Sequence, residues 1–279
     1  MPAFFVVLWS TGFIGAKYGL PYAEPLTFLL IRLGLVAVVL GAVALAMRAP
    51  WPRRAADWGH IVLVGLLVHG VYLGGVFTAI AHGLPAGLTA LIVGLQPLLT
   101  ATLVGPLLGE RVTRRQWAGL VLGLAGVLLV VQQKIALRAE DAAALCLAAA
   151  ALVGITLGTL HQKRFCTGMD LRSGTAIQYA ATAAALAIAA PLAETMEVRW
   201  TGEFLFALAW LSFVLSVGAV FLLFALIRRG AAASVASLFY LVPPCTALTA
   251  WLLFDETLGP VALLGMGIAA AGVALVNRR

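Results

Sequence analysis

The polar side chains isolated within long apolar stretches are where this 279-residue chain could do chemistry. His69 and Tyr72 lie three residues apart, so on a helix they share a face and offer an imidazole and a phenol to one ligand. Thr89, Val93, Gln96 and Thr100 recur at helical spacing and draw a polar stripe through leucines, and Pro97 removes a backbone donor beside Gln96. Phe239 and Tyr240 precede a proline pair, Pro243 and Pro244, which with Pro97 are expected to break their helices. Near the start, Trp9, Ser10 and Phe13 can supply an aromatic wall and a hydroxyl. These groups hold a small neutral or zwitterionic molecule by hydrogen bonds and stacking. They are not a catalytic set. No H-E-x-x-H, G-x-S-x-G or paired-aspartate motif occurs, and the four histidines (60, 69, 82 and 161) are dispersed, so neither an enzyme nor a metal or cofactor site is expected. Each residue also has a plainer role open to it: the histidine bonded to a neighbouring helix, the prolines as packing kinks, Trp9 in an interfacial belt.

The elements that must position these groups are long apolar helices. Ten stretches, at about 3–20, 26–47, 59–81, 85–108, 116–133, 142–162, 173–193, 204–227, 231–253 and 259–277, approach the roughly 20 residues that a bilayer crossing needs. Hydrophobic residues make up 63% of the chain and charged ones 10%, with a mean hydropathy of +1.06. No soluble domain covers so much apolar surface with so few charges, and the fold class expected is all-α and polytopic in a lipid bilayer. The net charge of +7 is a topology signal, and nucleic acid is excluded as a partner by where the bases fall. Arg48, Arg53 and Arg54, then Arg111, Arg114 and Arg115, then Lys163, Arg164 and Arg172, then Arg228 and Arg229, and finally Arg278 and Arg279 occupy alternate connections, and most acids the others. Basic loops face the cytoplasm, which puts both termini there, in the inner membrane. No cleavable leader is expected. Cys146, Cys166 and Cys245 read as free thiols. No aspartate or glutamate falls in the middle third of a span, and Lys17 and Arg32 are expected to snorkel outwards, with Glu24 as a partner, substrate contact being the lesser alternative.

The chain also aligns with itself at an offset of about 146 residues, five spans on five. Lys17 meets Lys163, Glu24 meets Asp170 and Thr27 meets Ser173. With one residue of adjustment Pro97 meets Pro244 and Thr102 meets Thr249, and Glu110, Gly119 and Gly126 meet Glu256, Gly265 and Gly272. An odd number of spans per half inserts the halves in opposite directions, so 1–133 and 142–279 are expected as inverted five-helix repeats. That symmetry is a device of secondary transporters, which bind substrate near the midplane between the repeats.

The segments LWSTGFIGAKYG (8–19) and EPLTFLLIR (24–32) resemble the first-helix signature of the EamA family, within the drug/metabolite transporter superfamily. LQPLLTATLVGPLLGERVTRRQWAGLVLGLAGVLLV (95–130) is similar to its fourth and fifth helices. The resemblance implies ten helices in two inverted repeats and export of amino acids, aromatic ones among them, or of other small metabolites. Carriers of drugs, or of nucleotide- or lipid-linked sugars, belong to the same superfamily. The second repeat departs from the first where Ile155 stands for Trp9 and Gln178 for Arg32. Glycines 119, 123 and 126, with 265, 267 and 272, are expected to let helices five and ten pack closely, within one chain or between copies in a homo-oligomer.

Overall fold

The structure, a computed structural model, describes residues 2–84, 86–132, 142–254 and 259–278, without the side chains of Phe13 and Lys17 among others. Ten helical spans run through the described residues: α1 (Pro2–Gly19), α2 (Pro25–Ala46), α3 (Ala55–Ala81), α4 (Ala86–Val93 and Gln96–Leu108), α5 (Arg114–Val131), α6 (Ala142–Phe165), α7 (Leu171–Ala193), α8 (Gly202–Arg229), α9 (Ala232–Ser237, Leu238–Leu241 and Val242–Phe254) and α10 (Pro260–Asn277). Nine are long and apolar enough to cross a membrane, and the described apolar part of α1, Pro2–Gly12, is shorter.

Local chemistry sets the ends. Pro25 and Pro260 begin α2 and α10, where a missing N–H costs nothing. Thr113 and Gln116 form a reciprocal capping box at α5. Asp170 caps α7, and the neighbouring Arg172 guanidinium holds its carboxyl below the usual carboxylate range. Gly109 closes α4 at φ 71°, a left-handed conformation that a glycine takes without strain.

Two kinds of irregularity recur at matching places in the two halves. Leu66–Tyr72 in α3 and Trp210–Ala219 in α8 are π-helical. α4 breaks at Gly94–Leu95, and α9 tightens into a 3₁₀ turn at Leu238–Leu241. The sequence places the interruption at the prolines themselves. In the structure it precedes them. Pro97 sits in the first turn of the Gln96–Leu108 segment, and Pro243 and Pro244 follow the 3₁₀ turn, so the prolines restart helices rather than kink them.

The packing interleaves the halves. α1 lies against α8 and α9, α6 against α3 and α4, α2 against α7, and α5 against α10. Exchanging α1–α5 with α6–α10 maps this set of neighbours onto itself. At the α5–α10 seam the backbones touch: a Cβ at Gly119 would stand 2.8 Å from the Gly272 carbonyl oxygen, and one at Gly265 would stand 2.7 Å from that of Gly126. Without a hydrophobic drive between helices in lipid, such close van der Waals approach is what holds a pair together. The glycines therefore meet within one chain, and only Gly267 faces open space. Large apolar side chains such as Val38, Leu45, Ile188, Leu192 and Leu252 point outwards, a lipid-facing sheath.

Two ends are distinguished by their cross-links. At the far end, the Glu194 carboxylate accepts from the Leu26 and Thr27 backbone N–H groups, both at 2.7 Å, and so caps α2. Glu24 in turn accepts from the Thr195 N–H and hydroxyl, and Arg199 N–H donates to the Tyr22 carbonyl. At the terminal end, where α1 begins, the Ser173 hydroxyl donates to the Pro50 carbonyl at 2.6 Å.

Candidate functional site

A cavity of about 40 Å³ lies where α1, α2, α3, α7 and α8 converge. Trp9, Arg32, His69, Tyr72, Phe77 and Tyr179 line it, so residues from both halves form its wall. The buried face of α2 (Phe28, Leu29, Leu33, Val36 and Leu40) carries Arg32 inwards with it. Arg32 is 1% exposed. Its Nε and Nη2 donate to the Ser216 hydroxyl at 3.2 and 3.0 Å, and Nη1 has no partner. Among the described residues no carboxylate forms an ion pair with it. This is a correction to the sequence reading, in which Arg32 snorkels outwards with Glu24. The helix face decides the matter: Arg32 shares it with Leu29 and Val36, and Glu24 is spent on Thr195 at the far end.

The π segments hold the other polar groups. His69, from the α3 segment, stacks on the Tyr179 ring at 4.3 Å and leaves Nε2 without a partner. Tyr179 donates its hydroxyl to the Ser216 carbonyl at 2.8 Å, inside the α8 segment. A π turn frees backbone carbonyls from the regular ladder, and π-bulges gather at functional sites for this reason. Gln178, the counterpart of Arg32 in the second half, donates to the Gln162 side chain at 3.1 Å and lies beside His69. The two polar pairs, Arg32 with Ser216 and Gln178 with His69, occupy corresponding places in the two halves.

An aromatic layer closes the cavity on the terminal side. Trp9 packs edge-on to Phe239 at 5.3 Å, against Phe5 at 5.2 Å and near-parallel to Tyr72 at 6.4 Å. Beneath it a second cavity of about 10 Å³ is lined by Gln96, Thr100, Thr159, Lys163, Ala236 and Phe239. Its floor is an ionic clasp. Lys163 Nζ stands 2.5 Å from Glu110 Oε1 and donates to the Gly230 carbonyl at 2.6 Å, while Glu110 Oε2 accepts from the Ala232 N–H at 3.0 Å. That clasp joins α4, α6 and the α8–α9 turn.

The residues picked from sequence thus divide. Trp9, His69 and Tyr72 share the upper cavity, whereas Gln96 and Phe239 line the lower one and Phe239 reaches both through Trp9. They do not form one chamber, because the aromatic layer lies between them. Ser10 donates to the Val6 carbonyl and lies 3.3 Å from that of Val242, which ties α1 to α9 away from either cavity. Tyr240 packs over Gly123 of α5. Thr89 is buried on α4 and lines neither cavity, and the Phe13 side chain lies outside the described residues. Sequence reasoning missed Tyr179 and Ser216. The one available signal was the alignment of the halves, which sets Ser216 opposite His69 and Gln178 opposite Arg32.

Comparison with known proteins agrees with this architecture. The model of the EamA-like transporter family matches residues 3–132 and again 142–278. An uncharacterized transporter of Bacillus subtilis, YvbV, is 30% identical over 99% of this chain and 90% of its own length. A protein of Streptantibioticus cattleyicolor named a probable terminal-alkyne amino-acid exporter is 30% identical over 98% of this chain and 91% of its own. A probable amino-acid metabolite efflux pump of Escherichia coli is 31% identical over 47% of this chain and 41% of its own. In fold, a crystal structure superposes with a TM-score of 0.83 at 21% identity, covering 99% of this chain and 95% of that one. With the family model matched twice, once on each set of five helices, this multi-pass membrane protein belongs to the EamA-like transporter family.

Proposed function

We propose that the chain exports amino acids and related small zwitterionic metabolites across the inner membrane, by alternating access between its halves, 1–133 and 142–279. The observation that carries this reading is the pair of small cavities between the halves, with the Trp9–Phe239 layer between them and cross-links between halves at each end. Alternating access asks for such a site between two repeats, with contacts at each end that can open in turn. The terminal end, with its bases, is the cytoplasmic face. Release of the Lys163–Glu110 clasp admits substrate from the cytoplasm to the aromatic layer. Release of the Glu24–Thr195 and Glu194–Thr27 bonds lets it leave on the other side. The relatives whose names specify amino acids support the substrate class. Purified protein in liposomes preloaded with unlabelled phenylalanine should accumulate labelled phenylalanine by counterflow. Absence of counterflow for a full panel of amino acids would sink this reading.

A further inference from the structure

We infer that Arg32 is the anchor for a carboxylate, and that the site therefore selects small monocarboxylates whether or not they carry an amine. The inference deepens the exporter reading and rests on it for the position of the substrate. Arg32 is 1% exposed, bonded twice to a neutral hydroxyl, and left with a buried Nη1 that has no partner, beside a cavity that Arg32 lines. A buried cation without a counter-ion is costly, and a guanidinium cannot shed its proton to avoid that cost. Removing one member of a buried pair is destabilising. Supplying the missing member from a ligand is favourable by the same physics. A carboxylate suits the planar fork of Arg32, and His69, whose Nε2 also lacks a partner, lines the same cavity.

The rest of the lining narrows the class. Among the described residues Arg32 is the only lysine or arginine in the lining, which suits a single negative charge better than a phosphate dianion. The described lining residues include no aspartate or glutamate to pair with an ammonium. The faces of Trp9 and Tyr72 can receive a cation or an apolar side chain, which makes the amine a minor contributor and the carboxylate the required one. At about 40 Å³ the cavity holds water rather than an amino acid, so the ligand enters as the Trp9–Phe239 layer or the far end opens.

The test is a binding panel on the purified full chain in lipid nanodiscs, read by thermal shift and tryptophan fluorescence. The probes are phenylalanine, 3-phenylpropanoate, phenylalaninamide, phenethylamine and inorganic phosphate. The two carboxylates should bind within about tenfold of each other, and the amide, the amine and phosphate about 10- to 100-fold more weakly, the worth of a charge-assisted hydrogen bond. Arg32→Gln should abolish the preference for acid over amide, and Arg32→Lys should keep part of it. If Arg32→Gln does not fold, Ser216→Ala serves instead: it removes the hydroxyl that holds the guanidinium in position and should weaken the carboxylates without changing the amide. An amide that binds as well as the acid, no binding by either carboxylate, or a preference that survives Arg32→Gln overturns the assignment. Loss of the assignment with phenylalanine counterflow intact refutes the role of Arg32 alone. Carboxylate binding through Arg32 without exchange of any amino acid refutes the exporter reading alone.

Discussion

Glu110→Gln should open the terminal end. The wild-type carboxylate accepts from Lys163 at 2.5 Å and from the Ala232 N–H at 3.0 Å, with the two ionic side chains 17% and 28% exposed. The amide oxygen of glutamine can still accept one bond, so the substitution removes charge from the clasp more than it removes contact. A hydrogen bond to a charged group contributes roughly 1.5–3 kcal/mol when buried, and partial exposure discounts this to about 1–2 kcal/mol. The population with the terminal end open should therefore rise about 5- to 30-fold. Ala236, 4% exposed on the lower cavity, is the reporter. In a background where Cys146, Cys166 and Cys245 are replaced, Ala236→Cys should react with a thiol reagent from the terminal side. While the open form is a minor species, its labelling rate scales with that population. The exchanged pair Glu110→Lys with Lys163→Glu should return the rate towards wild type. An unchanged rate in Glu110→Gln, in protein that reaches the membrane at normal levels, would show that the clasp is not the closing element.

The charge bias predicts that cysteines placed near Arg54, Arg114 and Arg164 are shielded from impermeant reagents in sealed cells, and one near Glu197 labelled; outside labelling at Arg114 would reverse the topology. Because, among the described residues, no carboxylate lines the upper cavity and the one beneath the lower cavity, Glu110, is paired with Lys163, a substrate gradient alone should drive flux in liposomes. Strict dependence on a proton gradient, retained in His69→Gln, would reveal a coupling group elsewhere. His69→Ala should lower transport more than Phe221→Ala at equal protein levels, and equal activity in the two would remove His69 from the site. Gly126→Val places a Cβ 2.6 Å from the Gly265 carbonyl oxygen and should destabilise the chain by about 1–3 kcal/mol, with a clear fall in Tm. Gly267→Val, which meets nothing within 4 Å, should be silent, and a similar loss in both would mean that the seam is not what the substitution disturbs.

Spans and repeat were legible because each rests on a one-dimensional signal: apolar run length, or an offset of matching residues. The interiors of the spans were less so. Arg32 looks in sequence like any cation that can reach an interface, and only the face it shares with Leu29, Leu33 and Val36 shows which way it turns. Gln96 and His69 read as members of one site since both are polar and deep. Separating them requires the Trp9–Phe239 layer, whose members lie 230 residues apart. The π segments left no mark in the sequence: a single extra residue per turn does not disturb an apolar run. The prolines do mark the broken helices, but the sequence puts the break at Pro97, Pro243 and Pro244 themselves, whereas the chain breaks just before them and uses them to begin a new segment.

The interleaving of the halves has a consequence for how the protein is made. A ribosome finishes α1 through α5 before any of α6 through α10 exists, yet α1 belongs beside α8 and α9, and α2 beside α7. Arg32 enters the membrane 184 residues ahead of Ser216, the hydroxyl that will hold it. Throughout that interval the nascent first half carries a bare guanidinium and a lone imidazole at mid-depth, with no groove of its own to hide them. Those helices must therefore linger beside the insertion machinery, or at a wet lipid defect, until α7 and α8 emerge. Closure of the site is therefore a late event, one that waits for the last helices of the chain.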